Sequence, residues 1–94
     1  MAGSDLPDEL RRYMAEPFPE PVVKGEDYGE VDAVMIRADI YRWASQSESL
    51  NALDRSRLQQ AANELERSLQ AFPADSQPYY QRLLRIARLA LAVS

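Results

Sequence analysis

"YYQRLLRIARLALAV", residues 79–93, is the stretch that decides the fold. As a helix it has an apolar row on each of two sides and only a narrow polar strip between them. One row is Tyr80, Leu83, Leu84, Ala87, Ala90 and Leu91, the other is Tyr79, Ile86, Leu89 and Val93, and the strip is Arg82, Arg85 and Arg88. A helix this apolar is typically central in a bundle or half of an oligomer interface. We therefore expect a central helix, and a homodimer through this C-terminal helix.

Two amphipathic helices are predicted before it. In residues 31–45, "VDAVMIRADIYRWAS", an apolar stripe recurs at steps of three and four residues and predicts the face packed in the core: Val31, Val34, Ala38 and Tyr41. The next helix is expected to begin at Asp54 as N-cap, with Leu53 and Leu58 in the positions of a hydrophobic staple. Its own stripe is Leu58, Ala61, Ala62, Leu65, Leu69 and Phe72.

The first part of the chain predicts a short helix followed by an extended arm. Residues 5–16, "DLPDELRRYMAE", have apolar residues at helical spacing. In "EPFPEPVV", residues 16–23, three prolines remove backbone donors and favour extended geometry in the residues before them. No stretch alternates apolar and polar residues for long enough to predict a convincing strand.

We therefore predict the all-α class, as a small antiparallel bundle of three main helices with a short N-terminal helix and a proline-rich extended arm. The 94 residues suit a single domain, with the N-terminal helix and arm in 1–29 and a three-helix core in 30–94.

Composition excludes several kinds of chemistry. The chain has no cysteine and no histidine, so it lacks a thiolate nucleophile, the commonest general base and the commonest transition-metal ligand. We expect no enzymatic activity, no cofactor and no metal site. The net charge of −4 argues against nucleic-acid binding, and no apolar run approaches the ~20 residues that span a bilayer. With no secretory signal at the start, we expect a soluble protein in the cytoplasm.

The most distinctive stretch is "GEDYGEVD", residues 25–32. Asp27 followed three residues later by Glu30 is a capping-box pattern, which predicts that most of this stretch is the start of a helix. The pattern does not use Tyr28, and it explains Asp32 only in part. Asp32 also borders a second apolar cluster on the following helix, formed by Met35, Ile36, Ile40 and Trp43, with Asp39 interleaved.

Two interpretations of this second cluster stay open. The proline arm covers it through Phe18 and Val22, which we prefer because the arm is a spare apolar segment nearby. Alternatively, a partner protein or a second copy covers it, with aromatic anchors and charge-specific aspartates. The second interpretation defines a candidate partner-binding surface of Tyr28, Asp32, Met35, Ile36, Asp39 and Trp43.

For function, we expect a small acidic helical protein that acts by protein association. An inhibitor of a basic partner, of the immunity-protein or antitoxin kind, suits its size and charge. The alternative is a small-molecule-binding helical domain with a pocket between arm and bundle, lined by Trp43, Tyr41, Met35 and Asp39. An acid/base pair of Asp32 and Asp39 is disfavoured, because ~10 Å of helix separates their backbones. We expect the arginine strip to dock against the acidic arm and first main helix.

Overall fold

The computed structural model describes residues 5–17, 19, 22 and 26–93. In this part of the chain the helices are α1 (Asp5–Ala15), α2 (Ala33–Ser45), α3 (Ala52–Ser68) and α4 (Gln77–Val93). Short 3₁₀ turns follow α2 at Ser47–Ser49 and connect α3 to α4 at Leu69–Ala71 and Ala74–Ser76. The all-α class is confirmed in outline. Most of the predicted arm, including Phe18, lies outside the described residues, although Val22 is buried.

A small antiparallel hairpin precedes α2 and was not predicted. Its strands are β1 (Asp27–Tyr28) and β2 (Val31–Asp32), with Tyr28 opposite Val31 and Asp27 opposite Asp32. Strands of two residues are too short to show an alternating pattern in the sequence. The turn between them is Gly29 and Glu30, and a hydrogen bond from the Ala33 N–H to the Glu26 carbonyl continues the pairing.

Helix α4 is central, because it packs against α1, α2 and α3. The residues it buries come from both of its apolar rows: Tyr79, Tyr80, Leu83, Ile86, Ala87, Ala90 and Leu91. Neighbouring helices on several sides therefore use most of its apolar surface. The homodimer through α4 stays a prediction, and the surface left for it is a shallow hollow lined by Gln81, Leu84, Arg85, Arg88 and Leu89.

The predicted core stripe of α2 is wrong in three of its four residues, whereas the fourth, Val31, is buried but belongs to strand β2. Val34 and Tyr41 are 37% and 39% exposed, and Ala38 is exposed as well. The side packed in the core is instead Ala33, Ile36, Ile40, Trp43 and Ala44. Both sides of α2 are apolar, so periodicity alone does not identify the inward one. Packing selects the side with the bulkier residues, and this is where α3 and α4 lie.

Both predicted N-caps are also wrong by a few residues. Asp32, not Asp27, caps α2: its Oδ1 accepts the N–H of Val34 at 2.9 Å and of Met35 at 2.8 Å. Helix α3 is capped by Asn51, whose Oδ1 accepts the Asp54 N–H at 2.7 Å. Leu53 therefore lies inside α3 and is 58% exposed, which excludes the staple.

A row of aromatic rings joins the hairpin to the bundle. Tyr28 stacks on Phe72 with centroids 4.8 Å apart, and Phe72 stacks on Tyr80 at 3.9 Å. Tyr80 meets Tyr79 edge-on, and Tyr79 packs on Tyr13 of α1. The Tyr80 hydroxyl donates a buried hydrogen bond to the Ala33 carbonyl at 3.1 Å, and burial raises the pKa of both Tyr80 and Tyr13. Tyr28, which capping left unexplained, thus anchors the hairpin.

The arginine strip of α4 pairs within the chain. Arg82 pairs with Glu16, Arg85 with Glu9 at 3.5 Å, and Arg88 with Glu66 at 2.6 Å. Glu16 is the first residue of the predicted acidic arm, so its pair with Arg82 agrees with the expectation, whereas the other acidic partners belong to α1 and α3 rather than to the first main helix. Within the described ranges no helix is long and apolar enough to cross a membrane.

Candidate functional site in the α2–α3 groove

The hairpin turn is seated on the last turn of α3. Gly29 has φ of +63°, and no other described residue has a positive φ, so the two-residue turn has the pattern of type II′. The Glu30 N–H donates to the Oγ of Ser68 at 2.9 Å, and Ser68 is only 1% exposed. A Cβ on Gly29 would lie 2.7 Å from that Oγ. The turn therefore needs glycine for both its conformation and its close contact with α3.

An ion pair holds the same turn from outside. The Arg67 guanidinium donates two hydrogen bonds to Glu30, from Nε to Oε2 at 2.7 Å and from Nη2 to Oε1 at 2.9 Å. These bonds lower the pKa of Glu30 and raise that of Arg67. Both side chains are well exposed, so this ion pair fixes the position of the turn more than it adds to the free energy of unfolding.

Because the hairpin turn brings the start of α2 beside the end of α3, these two helices run antiparallel.

Beside the hairpin, α2 and α3 form the two sides of an open groove with a volume of about 270 Å³. Of the six residues predicted to bind a partner, five line this groove: Asp32, Met35, Ile36, Asp39 and Trp43. Tyr28 does not, because its ring stacks on Phe72. From the described residues, the rest of the lining is Glu30 and Val31 of the hairpin and Arg57, Gln60, Ala61 and Glu64 of α3.

The floor of the groove is apolar. Ile36 and Ala61 are buried, and Trp43 is 8% exposed at one end of the floor. Met35 is the exception, since 56% of it is exposed. Much of the second apolar cluster therefore belongs to the core, and Met35 presents its remaining apolar surface to solvent.

The two ends of the groove differ in charge. At the hairpin end, which we call the acidic end, Glu30, Asp32 and Glu64 stand beside one arginine, Arg67. Counted over the described residues, three carboxylates against one guanidinium leave an excess negative charge there. At the other end, which we call the balanced end, Trp43 lies among two carboxylates and two arginines: Asp39 with Arg42 at 3.4 Å, and Asp54 with Arg57 at 4.0 Å.

The pocket predicted for a small molecule is only partly assembled. Trp43, Met35 and Asp39 line the groove, but Tyr41 faces α1 and lines a hollow with Pro7, Leu10, Arg11, Met14 and Ser45. Among the described residues, the groove lies between α2 and α3 rather than between arm and bundle.

Sequence reasoning missed the α3 side of the groove. Arg57, Gln60, Ala61 and Glu64 recur at three- and four-residue steps, so one helix face carries them all. That spacing was visible in the sequence. The role of this face in a site could not be read from the sequence, because that role depends on which other helix packs beside α3.

The described lining of the groove consists of carboxylates, one arginine, one amide and apolar side chains. Within the part of the chain that the structure describes, no group of three or more potential metal-ligating side chains is present. Comparison of the chain with models of protein families, with curated proteins and with solved structures finds no match. Any function therefore has to be argued from the geometry and charge of the groove itself.

Proposed function

We propose that this chain is a non-catalytic protein-association module that binds a basic partner in the α2–α3 groove. The observation that carries the proposal is the combination of Met35, exposed over an apolar floor, with an excess of carboxylates at one end. Methionine and tryptophan are enriched in protein interfaces, and complementary charges around them provide specificity and speed up association. The same groove contains five of the six residues that the sequence predicted for partner binding.

A narrower form of the proposal is an inhibitor of a basic partner, comparable in action to immunity proteins and antitoxins. It is supported by the small size and the net charge of −4, which attracts a basic protein over a distance. The proposed location is the cytoplasm. Disulfides are rare there, and a chain without cysteine does not depend on them.

The small-molecule alternative has less support. Ligand pockets typically enclose ~300–1,000 Å³ and bury most of the ligand. The groove, at about 270 Å³, is just below that range and is open to solvent.

The proposal is tested with partners captured from a lysate of the source organism and then titrated against variants. We expect Met35→Ala and Glu64→Lys each to weaken binding about tenfold, because one removes the exposed apolar contact and the other reverses a charge at the acidic end. The variants keep the fold, since Met35 is exposed and Glu64 is partly exposed.

Matched controls make the test specific to the groove. Leu53→Ala removes an apolar side chain of nearly the same exposure, 58% against 56%, from outside the groove. Asp75→Lys makes the same change in net charge as Glu64→Lys, at an exposed position in the turn before α4. Captured partners that bind all four variants equally well would show that the groove is not the binding surface.

A further inference from the structure

We infer that the groove is directional: it binds an amphipathic helix of a basic partner with the cationic end of that helix between Asp32 and Glu64 and the apolar end over Trp43. This inference rests on the proposed function and adds the orientation of the partner and the placement of its charges. It follows from a difference between the two ends of the groove: carboxylates outnumber arginines at the acidic end, whereas the two are equal in number at the balanced end.

At the acidic end, the carboxylates of the described residues outnumber the arginines. Glu30 is held by Arg67 through two hydrogen bonds. From the described residues, Asp32 accepts backbone N–H groups in its role as cap, through its Oδ1 atom. Glu64 accepts a hydrogen bond from the neutral Gln60 amide at 3.1 Å. Glu64 also lies within electrostatic reach of Arg67, which it shares with Glu30, so one guanidinium serves two carboxylates. The described part of this end therefore keeps negative charge, on Asp32 and Glu64, that an arginine or lysine of a partner can use.

At the balanced end, a further cation gains little. Arg42 pairs with Asp39, and its guanidinium lies 5.0 Å from the centroid of the Trp43 ring. Arg57 faces Asp54 across 4.0 Å. A partner cation at this end would meet two arginines as well as two carboxylates, so apolar side chains are the better occupants over Trp43.

The distance between the ends separates the two kinds of contact. From Asp32 to Trp43 the start and body of α2 advance by ~16 Å, which equals about three turns of a partner helix. Such a helix carries its basic residues in one terminal turn and its apolar residues in the others. A second copy of this chain is a poor occupant, because both copies carry a net charge of −4.

The orientation is tested with a synthetic helical peptide that carries arginines in one terminal turn and leucines at helical spacing in the rest. A nitroxide is attached either at the arginine end or at the leucine end. Trp43 is the only tryptophan of the chain, so its emission reports on one end of the groove. We expect the leucine-end label to quench Trp43 strongly and the arginine-end label to quench it weakly.

Two variants test the charge placement in the same titration. We expect Glu64→Gln, at the acidic end, to weaken peptide binding about fivefold, and Asp39→Asn, at the balanced end, to weaken it by a clearly smaller factor. Equal quenching from the two labels, or equal loss in the two variants, overturns the directional groove but leaves the proposed function standing. If neither labelled peptide binds, as judged by Trp43 emission and by chemical-shift changes, the directional groove is overturned, and the proposed function is judged separately by the captured partners.

Discussion

At the scale of single residues, Gly29 allows two distant parts of the chain to approach closely, because a Cβ at this position would lie 2.7 Å from the Ser68 Oγ. The turn needs a positive φ, and the Ser68 Oγ must come near enough to accept the Glu30 N–H. Both needs are met only if residue 29 has no side chain. This contact positions Glu30, and with it the acidic end of the groove, so a local requirement for glycine bears directly on the candidate site.

We expect Gly29→Ala to lower the free energy of unfolding by about 1–3 kcal/mol. The added Cβ would lie 2.7 Å from the Ser68 Oγ and 2.8 Å from its Cβ, in a conformation that is already unfavourable for alanine. Urea unfolding followed by circular dichroism measures the effect. Gln59→Ala, on the exposed side of α3, is the control and should stay within about 0.5 kcal/mol of wild type. A Gly29→Ala chain as stable as wild type would mean that the turn relaxes away from α3.

At the scale of elements, α2 shows what the sequence can and cannot predict. Its existence and approximate length follow from a 3.6-residue periodicity, and they are confirmed. Its start and its inward face do not follow. Asp27 and Asp32 are both good caps locally, and the choice is made by hairpin pairing and by the contact of the turn with Ser68, 39 residues further along the chain than Gly29. The inward face depends in turn on where α3 and α4 lie.

The two candidate caps of α2 can be separated by mutation. We expect Asp32→Ala to cost about 1 kcal/mol of stability, because two backbone N–H groups lose their acceptor. Asp27→Ala, which removes the cap that the sequence predicted, should cost less than about 0.5 kcal/mol, since its exposed side chain does not cap the helix. Thermal unfolding of the two variants measures the difference, and a larger loss for Asp27→Ala would contradict the assignment.

A third variant at this position separates structure from binding. Asparagine caps helices about as well as aspartate but carries no charge. Asp32→Asn should therefore keep wild-type stability and still weaken the binding of a basic partner. Asp32 caps α2 and, in the proposed function, also supplies charge for binding; the sequence predicted the second role but assigned the cap to Asp27.

At the scale of the whole molecule, the central position of α4 was predictable and the groove was not. Two apolar rows on one helix need neighbours on several sides, whatever the order in which those neighbours pack. The groove instead depends on a pairing of α2 with α3 and on a hairpin of two-residue strands. Its α2 side was found because aspartates interrupt an apolar cluster there, whereas its α3 side consists of residue types that are ordinary on a helix surface.

The homodimer predicted through α4 is the remaining question at this scale. The large hydrophobic residues that are exposed in the described part of the chain are Met14, Val34, Met35, Tyr41 and Leu53, and none is on α4. Leu84 and Leu89 are only partly exposed, so association through α4 should be weak and visible only at high concentration.

In sedimentation equilibrium we expect wild type to associate at high concentration and Leu84→Glu to stay monomeric, because the substitution places a carboxylate in the contact. Leu53→Glu introduces the same charge outside that surface and should associate like wild type. A wild-type chain that is strictly monomeric, or a Leu84→Glu chain that associates equally, would exclude this interface.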